Sequence, residues 1–375
     1  MNKIIAIYPN LEKDYLNKCE EYIKLAKQYN FNEVFTSLHL PEVQLDIQVD
    51  FLYSLANIVK KYDMKLIADI GGNSIKQIIN DNKLLDKLSL VDYFRLDYGY
   101  DHQDIKYIHD YLNNEGFIIN ASIYNAEESK REVEFIRSLN ALLRACHNFY
   151  PRVESGLDEQ LVLIQKKIFN SLNVPIYYCV PSSTNPRGPI YKGLPTIEQH
   201  RFLDVKQVLS QLLYKYNADG ILLGDNFYSE DELAKCNNIE EIKYEIDDVK
   251  IPKYSNIAIN EEIHVHTFSD LYDDIIFQNH VFRYDSNNKF LRSKSSRTMA
   301  EFSKAIEPFN CIERKAGYIT IDNKLYERYS GELQVVLADS PLDSRINVVG
   351  YIEECDKEKL LQFRNNYSYT FIKQE

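Results

Sequence analysis

Tryptophan is absent from the 375 residues. If the protein handles a sugar, the stacking faces must come from its 29 tyrosines and 18 phenylalanines. Six cysteines (Cys19, Cys146, Cys179, Cys236, Cys311, Cys355) lie scattered with no CxxC pair, which excludes a zinc knuckle and a disulfide framework. No segment is apolar over the length a bilayer requires. The apolar run in MNKIIAIYPN is too short for a signal peptide, so a cytoplasmic, reduced protein is expected. Positive charge is in deficit, with a net charge of −12. The mean field therefore attracts neither nucleic acid nor an anionic membrane, and an anionic ligand must find a local cluster of Arg or Lys. No GxGxxG follows the first apolar run, which disfavours a doubly wound nucleotide-binding sheet.

What is present is a repeat of short apolar runs and helical stripes. The runs are Ile4–Tyr8, Glu33–Ser37, Lys65–Ile70, Tyr93–Leu96, Phe117–Ala121, Leu142–Cys146, Ile176–Val180 and Gly220–Leu223. Each precedes or follows apolar residues at helical spacing, such as Tyr15, Cys19, Tyr22, Ile23 and Ala26. The runs are continuously apolar, as strands buried on both faces must be. Eight strand-then-helix units over roughly 240 residues predict an α/β fold of the TIM (β/α)8 barrel type. After about Ile239 helical periodicity fades. Short runs (Glu262–Phe268, His280–Tyr284, Tyr318–Ile321, Leu333–Leu337, Ile346–Tyr351) alternate with turn signals and predict a small all-β domain, sandwich or closed barrel. The domains read as 1–245 and 255–375, joined by a polar, charged linker between about Asn237 and Ser255.

The densest stretch of candidate chemistry is LLRACHNFYPRVESG, residues 142–156, where an apolar strand opens into His147, Asn148, Tyr150, Arg152 and Glu154. Acidic residues also follow other strands: Glu42, Asp69, Asp97 and Asp225, with Asn120 near the end of the fifth strand. Strand ends of a parallel barrel converge on one face, so these residues can share a cleft. Glycoside hydrolysis needs two carboxyl groups, one holding a proton for the leaving oxygen and one acting as nucleophile or base. For any single Asp, capping of a helix N-terminus is the simpler reading. Asp97, directly after a buried strand and before a glycine turn, is the first choice as a catalytic acid, with Asp69, Glu154 and Asp225 beside it. His264 and His266 share a side of a strand but lack an evident third ligand, so no metal site is expected. Arg283, Arg292 and Arg297, among Ser293, Ser295 and Ser296, suit a phosphate or carboxylate, or form a solvated hairpin.

The segments FTSLHLPE, ADIG, FRLDYG, CHNFYPRVESG, RGPIYKGLPTIEQHR and LLGD, in this order, resemble the 6-phospho-N-acetylmuramidases of the MupG type. FLRSKSSR and DNKLYERYSGELQVVL resemble that family's second domain. The resemblance implies a TIM barrel followed by a cyclophilin-like β-barrel. It implies cytoplasmic hydrolysis of the β-1,4 bond of N-acetylmuramic acid 6-phosphate–N-acetylglucosamine in cell-wall recycling. The partner is then a phosphorylated disaccharide, without cofactor, and a homo-oligomer is compatible with it. The family's polar residues fall on Glu42, Asp69, Asp97, Asn120, His147, Asn148, Tyr150, Arg152, Glu154, Arg187 and Asp225. The chain departs from many relatives at Asn10, where they carry an acid, which weighs against placing the chemistry there. The alternatives are another sugar-phosphate enzyme on the same barrel, isomerase or aldolase, or a non-catalytic sugar-binding protein. A Schiff-base aldolase is disfavoured because no strand offers an evident lysine. For the phosphate, the arginines of the second domain are expected to form the clamp.

Overall fold

The structure, a computed structural model, describes residues 1–40, 43–237, 250, 259–297, 305–362 and 367–374. The expected linker between Asn237 and Ser255 lies, apart from residues 237 and 250, outside the described residues, as does Glu42. The chain divides into two compact units: Met1–Pro151 with Val162–Ile251, and Arg152–Leu161 with Pro252–Glu375. No helix among the described residues is long and apolar enough to cross a membrane.

The first unit is a closed barrel of eight parallel strands in sequential order. They are β1 (Asn2–Ala6), β2 (Glu33–Ser37), β3 (Lys65–Ile70), β4 (Tyr93–Leu96), β5 (Gly116–Asn120), β6 (Leu142–Cys146), β7 (Ile176–Val180) and β8 (Gly220–Leu223). β1 begins two residues before the apolar run, because Asn2 and Lys3 pair with Gly220 and Ile221 although neither is buried. Most returns from helix to strand use one device. Asn30, Asp63, Asn113, Asn140, Asn173 and Asn217 all take a left-handed backbone, the conformation that Asn and Asp tolerate best among residues with a side chain.

Alternation along the strands sorts the barrel interior into layers. At the N-terminal end Arg144 pairs with Glu33 at 2.7 Å and lies 3.9 Å from the centre of the Tyr93 ring. The middle is apolar, with Phe35, Ile67, Ile118, Cys146 and Leu222 almost fully buried. Each such aliphatic or aromatic side chain contributes about 1.5–3 kcal/mol by leaving water. At the C-terminal end the same parity brings Asp69, Arg95, Asn120 and Asn148 inward. The loops after β3 and β4 pack tightly there: Gly72 N–H donates to Tyr98 O at 2.7 Å, and a Cβ on Gly71 would meet that oxygen at 3.1 Å. Gly72 and Gly99 both have positive φ, which glycine adopts without strain.

The second unit is a seven-stranded mixed sheet. Its strands are β9 (Ile259–Thr267), β10 (Asn279–Val281), β11 (Phe290–Arg292), β12 (Tyr318–Asp322), β13 (Leu333–Val336), β14 (Ile346–Ile352) and β15 (Tyr367–Lys373), in the spatial order β10-β15-β9-β14-β12-β13-β11. The β9–β15 pair is parallel. β11 and β15, which carry no turn-bounded apolar run long enough to mark them in the sequence, complete it. The sheet curls until its edges meet: Arg283 N–H donates to Arg292 O, and Lys294 N–H to Val281 O, each at 2.8 Å. One face packs Ile263, Val265, Leu291, Ile319, Ile321, Leu333, Val335 and Val349 into an apolar core. The opposite face of β11, β12 and β13 carries Arg292, Thr320, Asp322 and Gln334, all buried.

Candidate active site

The polar layer at the C-terminal end of the barrel is organised by Arg95, a residue the sequence reading passes over. It sits on β4 between Phe94 and Leu96 and is 5 % exposed. Its Nη1 donates to Asp69 Oδ1 at 2.6 Å and to Asp97 Oδ1 at 3.3 Å, and its Nη2 donates to Asn148 Oδ1 at 2.5 Å. Asn120 Nδ2 donates to Asp97 Oδ1 at 2.8 Å and to Asn148 Oδ1 at 3.0 Å. His39, also unmarked by the sequence reading, holds Nε2 3.5 Å from Asp69 Oδ2 and 3.5 Å from Asp97 Oδ2. Asp69, Asp97, Asn120 and Asn148 are thus brought together, with two cations between the two carboxylates. The missed signal is an arginine in the middle of a buried strand, where an unpaired charge would be prohibitively costly.

The two carboxylates experience opposite fields. Burial pushes the Asp69 carboxyl above its usual range, and Arg95 and His39 only partly offset it. Burial acts on Asp97 too, but there Arg95 and His39 win and hold it well below the usual range. Burial opposes the charged form of His39, yet Asp69 and Asp97 outweigh it and push the imidazole up to about 9. At neutral pH the cluster therefore holds a carboxylate on Asp97 and an imidazolium on His39, beside an Asp69 carboxyl whose proton affinity burial has raised. Asp97 is the more open of the pair, its side chain 17 % exposed against 5 % for Asp69. Two oxygens that share one nitrogen at 2.6 and 3.3 Å lie no more than about 6 Å apart, short of the roughly 6.5–9.5 Å of carboxyl pairs that invert configuration.

Other expected site residues stand elsewhere. His147 follows inward-facing Cys146, so strand alternation turns it outward, into the layer between barrel and helices. It is 1 % exposed, its Nδ1 lies 3.1 Å from Ser122 Oγ, and its ring packs on Tyr178. Burial, then Arg95 and Lys166, push it down to about 3, so it stays neutral. Expected among the substrate-binding residues, it packs beside the backbone of Asn148, whose N–H donates to the same Ser122 Oγ at 2.9 Å. Tyr150 is buried, with its N–H donating to Pro195 O at 2.9 Å. Asn10 caps a local turn, accepting from Glu12 N–H at 2.8 Å.

Asp225, expected as a catalytic acid, anchors a loop. Its carboxylate accepts backbone N–H bonds from Arg187 at 2.7 Å, Ser182 at 2.8 Å and Leu194 at 3.2 Å. Burial pushes it up to about 6 in spite of those bonds. Glu232 holds the start of the same loop, accepting from Ser182 Oγ, Ser183 N–H and Thr184 Oγ1. Arg187, whose backbone is fixed in this way, lays its guanidinium 3.7 Å from the centre of the Tyr8 ring.

Glu154 and Arg152 belong to the second unit. Arg152 makes a two-pronged pair with buried Asp322 at 2.5 and 2.8 Å. Glu154, at φ +67°, pairs with Arg314 at 2.9 Å and Lys289 at 3.2 Å. The carboxylate expected as a catalytic acid is thus engaged by two cations of that unit. The arginines expected to form a phosphate clamp also meet groups of their own unit. Arg292 forks onto Glu332 at 2.8 and 3.0 Å, and Arg283 onto Asp285 at 2.7 Å for both bonds. Arg297 donates to Arg328 O at 2.8 Å and lies over the Tyr329 ring. His264 and His266 each face their own carboxylate, Asp356 and Glu353. Among the described residues no group of His, Cys, Asp and Glu is arranged to hold a metal ion.

Two solved structures resemble the whole chain. One, a conserved protein of unknown function from an Enterococcus faecalis locus, is 27 % identical, with 100 % of this chain and 97 % of that one covered and a TM-score of 0.52. The other, an uncharacterized B. cereus protein, is 23 % identical, with 99 % of each chain covered and a TM-score of 0.50. No curated protein matches the chain significantly. Residues 5–238 match the family model for the N-terminal region of 6-phospho-N-acetylmuramidase, and residues 259–372 match that for its C-terminal region. A barrel whose mouth joins two carboxylates of opposite proton affinity fits that match, and the chain belongs to the 6-phospho-N-acetylmuramidase family of glycosidases.

Proposed function

We propose that the chain hydrolyses the β-1,4 bond of N-acetylmuramic acid 6-phosphate–N-acetylglucosamine, in the cytoplasm, as a step of peptidoglycan recycling. Family membership supports the substrate class. The observation that carries the chemistry is the Asp69–Asp97 pair, whose pKa values are driven apart by one environment, the arrangement by which two carboxyls take different roles. Asp97, ionised and open to the mouth, attacks the anomeric carbon. The proton for the leaving oxygen is held on Asp69 and the neighbouring His39 imidazolium. A glycosyl ester on Asp97 forms as the glycosidic bond breaks, and water, losing a proton to the same couple, then releases the sugar. Because the carboxyl oxygens lie within about 6 Å of each other, the anomeric configuration is retained.

The domains of this reading run over 1–245 and 255–375, and the curled sheet, with its hydrogen-bonded edges, supports the cyclophilin-like barrel that the resemblance implies. The test is incubation of the purified protein with the phosphorylated muramoyl disaccharide. Mass spectrometry should detect the two monosaccharides, and proton NMR of the first product should detect the β anomer before it mutarotates. An intact disaccharide after long incubation contradicts the hydrolysis; an initial α anomer contradicts the assignment of Asp97 as nucleophile.

A further inference from the structure

We infer that the Arg187 guanidinium, stacked on Tyr8 at the inner rim of the barrel, is the point at which the protein recognises an anionic group of its sugar substrate. The inference deepens the proposed function and rests on it for the identity of the sugar. A chain with a net charge of −12 has carboxylates to spare, and its buried arginines use them. Arg95 faces Asp69 and Asp97, Arg144 faces Glu33, Arg201 faces Glu198, and Arg292 faces Glu332. Arg187 differs. Among the described residues its side-chain nitrogens have no hydrogen-bonding or ion-pair partner, and its guanidinium contact is the face of Tyr8.

That arrangement leaves the edge of the guanidinium plane available, and the edge is where two parallel N–H bonds to an oxyanion form. The platform is rigid. Tyr8 is 2 % exposed, and its hydroxyl donates to Gly224 O at 2.8 Å. The backbone of Arg187 is equally constrained, because its N–H is one of the three donors bound by Asp225. A buried carboxylate devoted to backbone N–H groups is a costly way to hold an ordinary surface loop; it makes sense where the loop must present one side chain in one place. Tyr8 belongs to the apolar cluster inside the barrel, which also contains Phe35, Ile67 and Cys146. An anion bound at Arg187 is therefore held at the same open end as Asp97.

The substrate class offers two such anions, a 6-phosphate and the carboxylate of the 3-O-lactyl ether. The experiment compares kcat/KM for wild type, Arg187→Ala and Arg187→Lys on three disaccharides: the phosphorylated muramoyl disaccharide, its unphosphorylated form, and a 6-phosphorylated disaccharide lacking the lactyl group. Arg187→Ala should lose about 10- to 100-fold on substrates carrying the recognised anion and change little on the one lacking it. The pair of substrates whose ratio collapses identifies the anion. Arg187→Lys should recover part of the loss as a point charge without the fork. Calorimetric binding of N-acetylmuramic acid 6-phosphate to folded wild type and Arg187→Lys supplies a readout free of turnover, with at least a several-fold loss of affinity expected. Should wild type cleave none of the three, the proposed function fails, while binding that depends on residue 187 would still support this site. Unchanged substrate ratios in both variants, or unchanged binding where there is no turnover, would overturn it.

Discussion

The barrel mouth and the polar face of the second unit are built from the same residue types and use them differently. In the second unit the arginines make forked pairs with buried carboxylates: Arg152 with Asp322, Arg292 with Glu332, Arg283 with Asp285. At the mouth one guanidinium is divided between two carboxylates, and the second lies farther from it, at 3.3 Å, where Asn120 Nδ2 also donates to it at 2.8 Å. His39 lies 3.5 Å from both, and Arg187 meets an aromatic face rather than an anion. Forked pairing in the second unit, with Glu332 also 3.8 Å from Arg283 and accepting from Gln334 Nε2, commits these charges to one another. Shared and incomplete pairing leaves capacity for a ligand, because a substrate group can take up what the protein leaves over.

Breaking a complete pair should cost stability rather than selectivity. Arg292→Ala leaves Glu332 buried without its fork, and such losses destabilise by about 3–5 kcal/mol. Chemical denaturation should detect it, while the preference for phosphorylated over unphosphorylated disaccharide stays where wild type has it. If that preference drops and stability does not, the contrast between the regions is wrong. A smaller effect is expected at the loop anchor. Asp225→Asn cannot satisfy all three backbone donors, and a buried donor left unsatisfied costs about 1–3 kcal/mol. Its signature beyond stability should be a raised KM for the phosphorylated substrate with kcat little changed, since Arg187 is displaced and Asp97 is not.

The smallest expected effect is on the pH dependence of stability. His39 is pushed from 6.5 to about 9 in the folded protein. A raised histidine pKa stabilises the folded state fully below the unfolded value and loses that contribution as pH rises through the folded one. Melting temperature should therefore decline between about pH 6.5 and 9 in wild type, and His39→Asn should flatten that decline. An identical slope in both proteins would mean that His39 is neutral at the mouth.

The barrel was legible because its strands are uninterrupted apolar runs, and Asp69, Asp97, Asn120 and Asn148 were legible as polar residues at their ends. Side-chain parity would have improved the list. Counting by twos from Ile67 reaches Asp69, and from Cys146 reaches Asn148, whereas His147 falls on the outer face. Arg95 and His39 escaped because one lies inside an apolar strand and the other within a loop, and nothing local announces that Asp69, at the end of β3, meets both. The pairing of Arg152 with Asp322 spans 170 residues of sequence, so CHNFYPRVESG reads as one barrel loop although its last part belongs to the second unit. The arginine and serine cluster read as an anion site for the same reason: Glu332 and Asp285, which neutralise it, are placed by the fold and not by spacing.

The central claim is that the open, ionised carboxylate at the end of β4 performs the chemistry. Its most direct test is the turnover of the phosphorylated muramoyl disaccharide by Asp97→Asn, which keeps shape and hydrogen bonding to Arg95 in place but removes the charge. With the far-ultraviolet dichroism and melting temperature close to wild type, kcat should fall by about 10²–10⁴-fold. Turnover within a few-fold of wild type in a folded Asp97→Asn protein would contradict the claim.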